Sequence, residues 1–172
     1  PLTTFGLGGP ARHLARVQDI KEVCTALSFA KERALRVLIL GGGSNMLISD
    51  AGFDGLVIKI ELAGIVRKED MLIADAGVSW DALVLHAVNE GLWGIENLSG
   101  IPGTVGAAPI QNIGAYGTEA KDTLLWVEAY DRDTGGVIQL QNKECEFGYR
   151  TSRFKREPER FVILRVAFGL KK

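Results

Sequence analysis

The stretch LILGGGSNMLISDAGFDG, residues 38–55, runs from an apolar segment into three consecutive glycines and then into Ser44 and Asn45. A buried strand that ends in the most permissive backbone available has two readings. One is a tight turn. The other is a cradle in which backbone N–H groups approach an anion that any Cβ would hold off. The dinucleotide fingerprint G-x-G-x-x-G requires a helix directly after the turn. Gly41 and Gly43 fit it, but Met46 takes the third position, and the residues beyond read as loop and strand. The run from Gly6 to Ala11 meets only the looser GxGxxA form, with no strand before it. No GxxxxGK[ST] loop occurs. Neither a Rossmann nor a Walker site is expected.

Around this loop the periodicity predicts a small α+β lobe, residues 1–60. Ile20, Val23, Cys24, Leu27 and Ala30 share one face of a helix over 19–34, with Asp19 as N-cap. Residues 36–40 form a buried strand, and 55–62 a second one with Leu56, Ile58 and Ile60 on one face. A second lobe, residues 61–172, begins with a strand over 71–75 and a turn at Gly77. A helix over 79–90 follows, closed by Gly91. Residues 91–118 read mostly as loop. Strands over 124–131 and 137–141 pair through the turn 132–136. The last strand, 160–169, places Phe161, Ile163 and Arg165 on one face.

Composition narrows the class. The chain has 172 residues, 47% apolar and 24% charged, an ordinary globular balance. Its net charge of −1 gives no basic field for nucleic acid. No run reaches the roughly 20 apolar residues that span a bilayer, and the first residues do not form a signal peptide. A cytoplasmic monomer acting on a small molecule, without nucleic-acid or membrane partner, is expected. Cys24 and Cys145 lack metal-ligand spacing and read as two buried free thiols. His13 and His86 are the only histidines, so a metal site built on histidine is not expected.

Two further segments stand out. Residues 99–117, SGIPGTVGAAPIQNIGAYG, are free of charge and long for a loop in a compact domain. They are either an irregular core crossover or a wall for a flat, extended ligand, with Gln111 and Asn112 supplying amides. An anionic, planar, two-part ligand would account for this segment and the first glycine loop together. Residues 144–155, ECEFGYRTSRFK, carry Tyr149 and Arg150 on what is either a solvated basic edge or a fork for a carboxylate.

Taken together, Gly41-Gly42-Gly43-Ser44-Asn45, Ile101-Pro102-Gly103-Thr104-Val105-Gly106, residues 109–117 (PIQNIGAYG) and Phe147-Gly148-Tyr149-Arg150 resemble the UDP-N-acetylenolpyruvoylglucosamine reductase (MurB) family in order and spacing. Thr4-Phe5-Gly6 resembles its N-terminal signature. The resemblance runs from Thr3 to Leu170. It implies a two-lobed α+β FAD-binding fold of the vanillyl-alcohol oxidase and MurB type, with the cofactor between the lobes. It implies non-covalent FAD, NADPH as hydride donor, and an enolpyruvyl nucleotide sugar as substrate in peptidoglycan synthesis. Carried over by position, Leu40, Gly41, Gly42, Gly43, Ser44, Asn45, Met46 and Leu47 would hold the pyrophosphate. Pro102, Gly103, Thr104, Gly106, Ala107, Gln111, Asn112, Gly114, Ala115, Tyr116, Gly117 and Ile163 would line the rest of the cofactor. Tyr149 and Arg150 would meet the substrate, Arg150 holding its carboxylate and stabilising an enolate-like intermediate.

The family also has a third, substrate-binding lobe, whose serine protonates the intermediate and which carries a glutamate near the reacting carbon. Neither has a counterpart here, and Ser44 and Ser152 stand at other positions of the pattern. The expectation is the flavin-binding part of such a reductase, with weak turnover on its own. The alternatives are a flavin-binding module without turnover and another FAD oxidase of the same fold. Against the last, neither glycine-rich segment contains the His or Cys through which such oxidases often attach the flavin.

Overall fold

A computed structural model of the chain describes residues 2–172. Strand β1 (Ala11–Val17), helix α1 (Ile20–Glu32) and strands β2 (Val37–Leu40) and β3 (Phe53–Ile60) form the first unit. Its sheet has the order β1-β3-β2, and both pairings are parallel. Parallel neighbours need a crossover. Helix α1 supplies the first, and the glycine loop, residues 41–52, supplies the second without a helix. Asp19 caps α1 by accepting from the Glu22 N–H at 2.8 Å. Val23, Ala26, Leu27 and Ala30 form its buried face.

Strand β1 is absent from the sequence reading. ARHLARV alternates charge and apolarity, and only Val17 of it is fully buried, so its apolar signal is weak. The one-sided pattern expected for β3 is corrected too. Val57 is buried along with Leu56, Ile58 and Ile60, because a central parallel strand is covered on both faces.

Strands β4 (Ile65–Lys68) and β5 (Met71–Asp75) open the second unit, followed by helix α2 (Trp80–Asn89). The short strands β6 (Gly114–Ala115) and β7 (Thr118–Glu119) pair as a hairpin inside the long loop. Strands β8 (Leu124–Asp131) and β9 (Gly136–Gln141), helix α3 (Arg153–Arg156) and strand β10 (Phe161–Gly169) complete the chain. The sheet order is β4-β5-β10-β8-β9, antiparallel throughout. β10 lies at its centre and is buried on both faces, which overturns the single apolar face expected for Phe161, Ile163 and Arg165. Arg165 itself is half-buried and paired with Asp75 at 2.9 Å. Strand β4 was also not foreseen, since three of its four residues are exposed.

Trp80 anchors α2 on this sheet. Its ring meets Phe168 edge-on at 5.6 Å, and its indole N–H donates to the Leu98 carbonyl at 2.8 Å. Cys145 is buried, and burial pushes its thiol up to about 12, an inert state. Cys24 is only partly buried, which corrects the expectation of two buried thiols.

Asp131 is the one fully buried carboxylate among the described residues. It accepts from Arg160 Nε at 3.0 Å and Nη2 at 2.9 Å, and from the Asp133 N–H at 3.0 Å. These bonds, the Arg160 guanidinium first, hold the Asp131 carboxyl below the usual carboxylate range. A depressed folded-state value stabilises above the unfolded carboxylate's range and is lost as pH falls through it. Asp131→Asn is therefore expected to lower stability by about 2–3 kcal/mol at neutral pH. In urea unfolding, the gap to the parent should narrow as pH falls below the ordinary aspartate range and through the parent's depressed value.

Candidate functional site

The two sheets meet along a cleft of about 470 Å³. Its floor is apolar, from Val37, Leu38 and Ile39 of β2, Ile60 of β3 and Phe161, Val162 and Ile163 of β10. Two glycine-bearing segments form its rims.

The first rim is residues 41–46. Among the described residues, the N–H groups of Gly42, Gly43, Ser44 and Asn45 donate to no backbone carbonyl. The loop's carbonyls are held instead. Lys59 Nζ donates to the Gly41 carbonyl, and the Thr4 N–H donates to the Gly43 carbonyl at 3.0 Å. The three glycines are required for different reasons. Gly43 has φ +70°, and a Cβ on it would lie 2.4 Å from the Leu2 carbonyl oxygen. On Gly41 a Cβ would meet Thr104 Oγ1 at 2.8 Å. Gly42 differs: a Cβ there would meet nothing closer than Gly103 Cα at 3.6 Å, an ordinary contact. Protein packing does not demand glycine at 42. The gap between Gly42 and Gly103 is what a side chain would fill.

The second rim, residues 102–113, is fixed by its neighbours. Asp81 on α2 accepts from the Gly100 N–H and the Ser99 hydroxyl, both at 2.8 Å. These bonds hold the Asp81 carboxyl below its usual range, Gly100 contributing most. The segment then runs beside residues 76–80. The Trp80 N–H donates to the Gly103 carbonyl at 3.1 Å, Val105 N–H to Val78 at 2.8 Å and Gly106 N–H to Ala76 at 2.9 Å. A Cβ on Gly106 would sit 2.7 Å from that of Ala76, so close packing fixes this glycine. Thr104 is 8% exposed and lines the cleft.

Of the residues named from sequence, the cleft gathers Gly41, Gly42, Gly43, Ser44, Asn45, Met46, Pro102, Gly103, Thr104, Gly106, Ala107, Gln111 and Ile163. The others lie elsewhere. Leu40 is buried within β2, and Leu47 is 78% exposed. Asn112 is fully buried, its Nδ2 donating to the Gly148 carbonyl at 3.1 Å and its Oδ1 accepting from the Lys121 N–H at 3.0 Å. Both ends of that amide are spent on joining loops. Gly114, Ala115, Tyr116 and Gly117 belong to the β6–β7 hairpin, with Tyr116 91% exposed.

Tyr149 and Arg150 form an exposed turn outside the cleft proper. Arg150 Nη2 lies 3.5 Å from the Gly114 carbonyl oxygen. Its backbone has φ +101°, a strained conformation for a side-chain-bearing residue. Lys155, which lines the cleft, donates to the Arg150 carbonyl at 2.8 Å and ties the turn to the cleft's edge. Ser152 is buried, donates to the Ile110 carbonyl at 2.6 Å and caps α3, a structural post.

Sequence reasoning reads Lys155 as part of the basic edge beside Arg150, not as cleft wall, and misses Arg132, Pro158 and Glu159 on that wall and Lys59 behind the loop. Arg132 donates to the Glu159 carbonyl at 2.6 Å, a contact between a hairpin turn and a remote loop that leaves no local sequence signal.

N–H donors without backbone partners, a threonine on the cleft wall, a gap sized for backbone-only walls and an apolar floor fit a long ligand with an anionic waist. The arrangement defines a flavoprotein cofactor cleft. Residues 11–141 match the family model described as FAD binding domain, and the chain belongs to that family. FAD is its cofactor. Among curated relatives, UDP-N-acetylenolpyruvoylglucosamine reductase of Streptomyces coelicolor is 48% identical, covering 99% of this chain and 44% of its own length. The protein of that name in Pseudomonas putida is 47% identical, covering 99% of this chain and 51% of its own. The chain thus spans about half the length of these relatives. A solved structure of UDP-N-acetylenolpyruvylglucosamine reductase (MurB) from Thermus caldophilus superposes with a TM-score of 0.82 at 32% identity, over 99% of this chain and 59% of that one. 6-Hydroxy-D-nicotine oxidase from Arthrobacter nicotinovorans shares the fold, with a TM-score of 0.71 at 21% identity, over 96% of this chain and 39% of that one. The two-lobed FAD-binding fold of the vanillyl-alcohol oxidase and MurB type is therefore this chain's fold.

Proposed function

We propose that the chain is the FAD-binding part of an NADPH-dependent reductase that converts UDP-N-acetylenolpyruvoylglucosamine to UDP-N-acetylmuramate in peptidoglycan synthesis. When bound, the cofactor supplies hydride transfer from NADPH to the enolpyruvyl double bond. The chain's own residues do the rest. The N–H groups of Gly42 to Asn45 and the Thr104 hydroxyl seat the diphosphate, while Ala107, Ile110 and Ile113 wall off water from the ring. Tyr149 and Arg150 meet the substrate, and the planar Arg150 fork holds its carboxylate and offsets charge growing on the enolate-like intermediate. The reading divides the chain into two cofactor-binding lobes, 1–60 and 61–172. The reading takes the protein to be a cytoplasmic monomer acting on a nucleotide sugar without a membrane partner, and the net charge of −1 offers no basic field for nucleic acid. No described helix is long and apolar enough to cross a membrane.

The observation that carries the reductase reading over a plain flavin-binding module is Arg150, held in strained backbone at the cleft's edge. The test uses the longer protein that the curated relatives represent, loaded with FAD. NADPH oxidation is expected only when the enolpyruvyl nucleotide sugar is present. A protein that holds FAD but leaves NADPH unoxidised with that substrate would favour the non-catalytic module.

A further inference from the structure

We infer that Lys59 is a positioning residue for the anion cradle: by holding the Gly41 carbonyl from behind the loop, it turns the Gly42 N–H into the cleft. The inference rests on reading residues 41–45 as the diphosphate seat.

Lys59 sits on β3 opposite Leu40, the last residue of β2 before the glycines. Side chains alternate along a strand, so Lys59 lies on the face opposite Ile60, and Ile60 lines the cleft while Lys59 does not. The ammonium nevertheless reaches round the end of β2 to the Gly41 carbonyl. In a planar trans peptide the C=O of Gly41 and the N–H of Gly42 point in opposite directions. Pinning the oxygen behind the loop therefore sends the hydrogen forward. Two adjacent glycines leave this peptide free to flip between orientations of similar energy, so the choice must come from outside the loop. The Thr4 N–H plays the matching part at the far end, holding the Gly43 carbonyl.

The surroundings of Lys59 strengthen the bond. Burial lowers its ammonium from the ordinary lysine range, Glu61 raising and Arg16 lowering it further. A poorly hydrated ammonium has fewer water partners competing with the carbonyl. Arg16 and Glu61 are engaged with each other, Arg16 Nη2 to Glu61 Oε1 at 2.6 Å, which leaves Lys59 to the loop.

The test compares the parent chain with Lys59→Met, Lys59→Gln and Lys59→Arg. Affinity is read for FAD and for ADP, and the Gly42 amide resonance is read in ligand-free protein. Lys59→Met is expected to weaken FAD and ADP by the same factor, roughly tenfold, and to shift the Gly42 amide. Lys59→Arg, which keeps a charged donor, should recover most of the affinity. Lys59→Gln, which keeps a neutral one, should fall between, and it replaces the Met variant if that one does not fold. Unchanged FAD affinity in the Met or Gln variant would overturn the inference. So would a loss of affinity that accompanies a fall in ligand-free stability with the Gly42 amide unmoved. If the parent takes up no FAD, the reading of the loop as a diphosphate seat fails, and the Gly42 amide response still decides whether Lys59 orients the peptide.

Discussion

In the longer, FAD-loaded protein, Arg150→Ala is expected to lower kcat/KM by about 10²–10³-fold, the scale of losing one preorganised stabiliser of a developing anion. FAD affinity should hardly change. Arg150 lies outside the cleft, its carbonyl tied to Lys155 and its side chain 3.5 Å from the Gly114 carbonyl of the β6–β7 hairpin, so its charge is not needed to seat the cofactor. Arg150→Lys should recover only part of the loss, since an ammonium cannot reproduce the planar fork. The turn adds a second expectation. Because residue 150 has φ +101°, Arg150→Gly relieves backbone strain. That variant should be at least as stable as the alanine variant and equally inactive, separating the side chain's role from the backbone's. Loss of FAD on Arg150→Ala would make it a cofactor residue and end this assignment.

The glycine loop carries the second large effect. Gly42→Val is expected to weaken FAD by at least about tenfold, the consequence of disturbing one strong hydrogen bond to a charged group. Gly42→Ala should weaken it less while leaving the ligand-free melting temperature unchanged, because its Cβ makes only ordinary contacts. Gly43→Ala should behave in the opposite way. Its Cβ collides with the Leu2 carbonyl at a backbone angle that disfavours side chains, so stability falls first. Calorimetry of ligand-free variants beside FAD titrations distinguishes the two patterns. Equal FAD affinity in parent and Gly42→Val would reduce the loop to an ordinary turn.

How much of this was legible in the sequence depends on how local each feature is. Helix α1, with its Asp19 cap, and strand β8 are read from spacing and turn chemistry, and the structure places them within a residue or two of expectation. The glycine loop was visible because three glycines in a row need a reason, and its lack of a following helix excluded a Rossmann turn. Strand β1 was not visible. It is an edge strand whose charged residues point to solvent, and its parallel pairing to β3 bridges more than forty residues. Lys59 was unreadable for the same reason, since only the β2–β3 register puts it beside Gly41. Asn112 illustrates a different ambiguity. An amide in a ligand-like motif reads the same whether it faces a ligand or ties two loops, and here both of its ends are occupied internally. Arg132 and Glu159 reach the cleft from a hairpin turn and from the loop before β10, and neither announces itself locally.

The most direct test of the central claim is an equilibrium titration of the ligand-free chain with FAD, followed by flavin fluorescence and repeated with ADP as competitor. The account predicts saturable one-to-one binding at micromolar concentrations, displacement by ADP, and release of intact flavin by acid. Failure to bind FAD under native conditions, or binding that ADP does not disturb, would contradict it.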